Sequence, residues 1–232
     1  FADTLARIGG ACQIVEPTLL QVLLGKPVRG GGDGIDVAGV VQALEQALAA
    51  KRVDLEGDRL DSVVAVGEIG LDYYRDNSPR DQQRKAFRAQ LDLAVELGLP
   101  VSVHNRSSTE DILGILKSRD ELPSGVMHSF FGDYELAEEI LDLGFYLGLS
   151  GPLTFDGESD LRDTVGKLPL NRLLLETDSP FLTPEPYRGK RNEPAFVRHV
   201  GVELASIKGV DVEEVGEKTT ENARRLFSLD ER

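Results

Sequence analysis

Four side chains that can bind a metal ion each follow a short apolar run: Glu68 after Val63-Val64-Ala65-Val66-Gly67, His104 after Val101-Ser102-Val103, His128 after Val126-Met127, and Asp178 after Leu173-Leu174-Leu175-Glu176-Thr177. Runs that short and that rich in β-branched residues predict buried parallel strands. In an α/β barrel the carboxyl ends of the strands converge on one face, so residues far apart in the chain can meet around an ion. Imidazole and carboxylate ligands suit Zn²⁺, Mn²⁺ or Mg²⁺, and two such ions can activate water and stabilise a phosphoryl transition state. Glu68 is the candidate bridging and catalytic ligand. Asp178 is the candidate for both ligand and general base, a role that requires hydrogen-bond reach to the attacking water. A lone histidine closing a strand is ordinarily a hydrogen-bonded core residue, and a lone Asp before Ser-Pro ordinarily a turn residue. Their joint occurrence at four strand ends favours the metal reading. His199 lies in a C-terminal amphipathic helix beside Val200 and reads as structural.

Phosphate contacts have their own candidates. Arg188, Lys190 and Arg191 concentrate three cations in Tyr187-Arg188-Gly189-Lys190-Arg191-Asn192-Glu193-Pro194, shortly after the Asp178 strand, and Arg106 stands two residues beyond His104. Arginine grips phosphate through two parallel hydrogen bonds. A solvated loop, or salt bridges within an acidic protein, is the competing reading of the loop. Arg106 could equally pair with a ligand carboxylate.

The elements that must position these residues alternate between strand and helix. Val37, Val40, Val41, Leu44, Ala47 and Leu48 predict a helix over 36–50, preceded by a flexible Gly30–Gly34 loop (GGGDG) that lacks the strand before it and the Lys-Ser/Thr after it needed for a phosphate loop. Phe87, Leu91, Ala94 and Val95 form one face of a helix stopping near Gly98 and Pro100. Helices follow over 111–117 and 133–143, the latter capped by Asp133 and ended by Gly144, then a strand over 145–149. Two helical stripes close the chain: Val197, Val200, Leu204 and Ile207, then Val212, Val215, Ala223, Leu226 and Phe227, with Asp211 and Glu214 resembling a capping box. This alternation predicts parallel strands joined by right-handed crossovers.

A chain of 232 residues, 41% hydrophobic, suits one α/β barrel over 1–232. The net charge of −14 argues against a broad phosphate-tracking surface, so nucleic-acid contact must be local or metal-mediated. Cys12 alone excludes an intramolecular disulfide framework, and no apolar run is long enough for a membrane helix, which predicts a cytoplasmic setting. The chain starts at Phe1 and its only methionine is Met127, so an upstream segment is expected.

GEIGLDYY (67–74), LPVSVHNR (99–106), HSFFG (128–132), LLLETDSPFL (173–182), RGKRNEP (188–194) and TTENARRLF (219–227) together resemble the TatD family of metal-dependent deoxyribonucleases, within the amidohydrolase-like TIM-barrel group. The resemblance runs from about Val63 to Phe227 in order and spacing. It implies a TIM-type (β/α) barrel, Glu68, His104, His128 and Asp178 as ligands of divalent ions, two per site in the complete enzyme, and Asp178 as catalytic base. It also implies exonucleolytic hydrolysis of phosphodiester bonds in DNA ends or single-stranded DNA, with no obligate protein partner. Two departures stand out. The family's His-Cys-Phe-Ser-Gly is here His128-Ser129-Phe130-Phe131-Gly132, and the His-x-His pair of the family's first strand has no counterpart, since residues 1–66 contain no histidine. Trimming or genuine loss in a degenerate paralogue would each explain the second. Either way the N-terminal strand is missing or irregular unless a segment such as Ala11–Val15 fills its place, and weak metal binding is expected.

Three functions remain open on sequence: a TatD-like nuclease, an ester hydrolase of the D-aminoacyl-tRNA deacylase type using the same site, and a catalytically degenerate nucleic-acid-binding barrel.

Overall fold

The computed structural model describes residues 64–229, so the predicted helix over 36–50, the GGGDG loop and the Ala11–Val15 segment lie outside the described residues. The described residues form two compact units, 64–124 and 125–229. Both are built by alternating strand and helix with parallel strand pairing, the α/β class expected from the sequence.

In the first unit, β1 (Val66–Asp72) leads through α1 (Arg80–Leu97) to β2 (Val101–Arg106), followed by α2 (Thr109–Lys117). Helix α1 buries Phe87, Leu91 and Ala94 completely and stops at Gly98, whose left-handed φ of 63° lets the chain turn straight into β2. Strands β1 and β2 pair in parallel with Gly70 opposite His104 and Asp72 opposite Arg106. Glu68 and His104 therefore stand inside their strands rather than just beyond them, a correction to the expectation from the apolar runs. The ladder continues past those runs because Gly70 has no side chain: a Cβ there would collide with the His104 carbonyl.

The second unit holds β3 (Gly125–Met127), α3 (Tyr134–Asp142), β4 (Tyr146–Leu149), α4 (Ser159–Lys167), β5 (Leu173–Leu175), α5 (Val197–Lys208) and α6 (Val212–Phe227). Its strands run parallel in the order β3, β4, β5, with Val126 opposite Tyr146 and Gly148 opposite Leu174. His128 follows β3 immediately, as expected. Strand β5 ends at Leu175, two residues before the predicted Thr177, although the Glu176 N–H still donates to Leu149 O at 3.0 Å. Asp133 caps α3 by accepting from the Leu136 N–H at 2.9 Å, and Gly144 leaves that helix in the left-handed region at φ 88°. Asp211 sits at the N-cap of α6 in extended conformation but makes no side-chain capping bond, so the capping box is not formed. Helix α4, absent from the sequence reading, buries Leu161, Thr164 and Val165 at helical spacing. Among the described residues no helix is long and apolar enough to cross a membrane.

The C-terminal TTENARRLF segment explains how β5 is held at its start. Asn222 on α6 is 1% exposed and donates through Nδ2 to Leu173 O at 2.8 Å and Leu170 O at 3.0 Å. The bond to Leu173 O is buried and the one to Leu170 O partly so, and removing the amide leaves the Leu173 carbonyl without this partner in the interior. Asn222→Ala should lower unfolding free energy by about 1–3 kcal/mol, counting one buried acceptor. Urea denaturation measures it, and a loss below about 0.5 kcal/mol would show that α6 does not anchor β5 through this residue.

Candidate metal centre

The structure assembles the predicted ligands as pairs, one pair in each unit. In the first, His104 Nδ1 lies 2.9 Å from Glu68 Oε1, and its Nε2 lies 3.5 Å from Asp72 Oδ2. The register produces this directly. Glu68, Gly70 and Asp72 alternate onto one face of β1, and His104 is paired with the glycine between the two acids. Asp72 is fixed by its own turn, its Oδ1 accepting from the Tyr74 and Arg75 N–H groups at 3.0 and 2.8 Å, which leaves Oδ2 for the histidine.

In the second unit, His128 Nδ1 lies 2.6 Å from Glu176 Oε2 and Nε2 lies 3.5 Å from Asp178 Oδ1. The other Glu176 oxygen accepts a short bond from the Ser129 N–H. The Glu176 carboxylate rests over Gly148, where a Cβ would stand 2.6 Å from Oε1, so the glycine of β4 makes the space that this buried acid occupies. Ser129 and Asp178 both have left-handed φ, 45° and 54°, which turns the chain sharply beside each ligand. At the first departure from the family pattern, the Ser129 hydroxyl lies 2.6 Å from the Ser150 hydroxyl.

Among the described residues no group of three or more His, Cys, Asp and Glu side chains is gathered so as to hold an ion by itself. The pairs nonetheless fit one. A neutral imidazole has one N–H and one lone pair. If His128 gives its N–H to Glu176, the lone pair at Nε2 faces a carboxylate oxygen, two acceptors that a proton or a bound cation between them would reconcile. Two ligands about 2.0–2.1 Å from a tetrahedral ion lie about 3.4 Å apart, close to the observed separation. Carboxylate on one nitrogen and metal on the other is a recurrent arrangement for ligand histidines.

The phosphate candidates are placed less simply. Arg106 is exposed and stacks over the Tyr74 ring at 4.2 Å. Arg188 lies 3.5 Å over Phe155, and Lys190 lies 5.3 Å from the Tyr187 ring centre, while Arg191 is exposed. Tyr187 in turn stacks on Phe196 at 4.5 Å with His199 edge-on to both, and burial holds the His199 imidazole below its usual pKa, with neighbouring Arg198 adding to the effect. His199 is thus a packing residue, as expected.

Three residues that frame the candidate site escaped the sequence reading: Asp72, Glu176 and Asn192. Asn192 is 2% exposed and ties the basic loop to the Asp178 segment, donating to Thr177 O at 2.7 Å and Phe181 O at 2.5 Å. The period of two along β1 would have placed Asp72 on the face of Glu68, whereas Glu176 lies past the end of β5 and has no such signal. Glu176→Gln keeps the volume but leaves one oxygen to serve both His128 and the Ser129 N–H. It should weaken Mn²⁺ or Zn²⁺ binding about 10–100-fold by calorimetric titration with the fold intact. Unchanged affinity would show that Glu176 does not orient a ligand.

The comparisons with known proteins agree with this chemistry. The profile of a family described as TatD related DNase matches residues 38–228. The metal-dependent hydrolase YabD of Bacillus subtilis (strain 168) is 48% identical over 170 residues, covering 73% of this chain and 67% of that protein. A protein of Rahnella sp. (strain Y9602) named 3'-5' ssDNA/RNA exonuclease TatD is 42% identical over 179 residues, covering 75% and 68% respectively. Among solved structures, the TatD homologue YJJV from Escherichia coli K12 superposes with a TM-score of 0.72 at 33% identity, covering 82% of this chain and 71% of that one. The chain belongs to the TatD family of metal-dependent hydrolases, with the α/β barrel class of fold that its motifs implied.

Proposed function

We propose that this protein is a cytoplasmic, single-domain phosphodiesterase over 1–232 that removes nucleotides from the ends of single-stranded DNA, with Glu68, His104, His128 and Asp178 as its metal ligands. The observation that carries the reading is the His128 ring, tied at Nδ1 to Glu176 and facing Asp178 across 3.5 Å at Nε2. The exonuclease name of the Rahnella relative supports the substrate class.

Each residue has a distinct task in this reading. Zn²⁺, Mn²⁺ or Mg²⁺, two ions in the complete site, supplies a Lewis acid for phosphoryl oxygens and lowers the pKa of adjacent water. Asp178, 29% exposed at its side chain, takes the proton from the attacking water through its carboxylate. Glu176 holds the His128 lone pair outward, and Glu68, 2.9 Å from His104 Nδ1, leaves His104 Nε2 facing Asp72 across 3.5 Å. Arg106, Arg188, Lys190 and Arg191 meet backbone phosphates, and the stacked rings beneath three of them set where the charges stand. The chain works without an obligate protein partner.

Asp178→Asn removes a negative ligand and the proton acceptor together. Hydrolysis of a single-stranded oligonucleotide should fall about a hundredfold or more while the circular dichroism spectrum is unchanged. Undiminished, chelator-resistant hydrolysis in the variant would overturn the assignment. If the unaltered protein cleaves D-aminoacyl-tRNA esters and not DNA, the same site serves ester hydrolysis instead, and if it binds DNA with added metal but cleaves neither, the chain is a non-catalytic member.

A further inference from the structure

We propose that Phe131 and Phe181 are stacking platforms for unpaired bases, which gives this site its preference for single-stranded nucleic acid; the inference rests on the nuclease reading above for its substrate class. Both rings are displayed to solvent, at 60% and 61% exposure, in a unit where Phe130 and Phe145 are buried. Both belong to segments that leave the carboxyl edge of the same parallel sheet, Phe131 after β3 and Phe181 after β5. Each lies three residues beyond a proposed ligand, His128 and Asp178.

Their exposure is built into the backbone. Ser129 and Asp178 take left-handed φ just before each ring, and the Phe130 N–H donates to Gly148 O at 2.8 Å, which seats Phe130 inward and sends its neighbour out. Phe181 is held at both of its own main-chain polar groups: its N–H donates to Asp178 O at 2.8 Å, and its carbonyl accepts from Asn192 Nδ2 at 2.5 Å. A ring on backbone pinned this way loses little freedom when a base settles on it. Phe131 also stands where the family pattern described above has serine, so this chain adds an aromatic surface at that position.

Charge explains the choice of occupant. A chain of net charge −14 holds a polyanion only through local contacts. Base stacking is uncharged, tolerates every sequence, and is available only where bases are unpaired.

The test is affinity for two fluorescein-labelled strands of equal length, oligothymidine and a fully abasic strand, read by anisotropy in chelator so that neither is cut. The unaltered protein should bind the thymidine strand at least tenfold more tightly. Phe131→Leu and Phe181→Leu should each lose about tenfold for it with abasic affinity unchanged, and the Phe→Trp variants should restore it. A strand carrying 2-aminopurine should be quenched by the unaltered protein and not by the Leu variants. Equal affinity for the two strands, no binding to either, or Leu variants that bind like the original would overturn the proposal. Self-association abolished by the same Leu substitutions, without an effect on oligothymidine, would assign the rings to contact between copies. Failure of the nuclease reading is a separate result, absence of nucleotide release with metal present.

Discussion

A histidine can offer only one proton and one lone pair when neutral, and the site depends on controlling which nitrogen carries which. For His128 that control comes from Glu176, an 8% exposed acid whose two oxygens are taken by the imidazole and by the Ser129 N–H. The acid fits only because β4 has Gly148 opposite Leu174, and the Ser129 N–H reaches it where the chain turns through a left-handed residue. One glycine, one turn and one buried carboxylate thus fix the direction of a single lone pair. Asp178 is placed by the same turn chemistry.

The first unit positions its histidine by strand register alone. His104 opposes Gly70, and the acids two residues to either side face its two nitrogens. The two pairs differ in burial: the His128 and Glu176 side chains are 9% and 10% exposed, against 32% and 28% for His104 and Glu68. Hydrogen bonds and charges act more strongly where water is excluded. The His128 pair is therefore the more rigidly oriented of the two, and the His104 pair the more accessible.

Much of this was legible in the sequence, for identifiable reasons. Helix α1, its Gly98 stop and the Asp133 cap follow from local patterns that the tertiary structure leaves in place. Helix α4 was missed although Leu161, Thr164 and Val165 follow helical spacing, because one of the three buried positions is the polar Thr164. Glu68 and His104 were placed at strand ends because apolar runs end there, yet pairing between β1 and β2 continues through polar residues whose side chains face the candidate site. Asp72, Glu176 and Asn192 stood in the quoted segments without being singled out. What ties them to the candidate site is a neighbour distant in sequence, His104, His128 and Phe181, which for Glu176 and Asn192 no local pattern encodes.

Anomalous scattering from a crystal grown with Mn²⁺ tests the central claim most directly, because it locates the ion without reference to activity. The account predicts an anomalous peak about 2.0–2.2 Å from both His128 Nε2 and Asp178 Oδ1, with His128 Nδ1 still on Glu176. A peak on neither atom, with Mn²⁺ bound elsewhere or absent at saturating concentration, would contradict it.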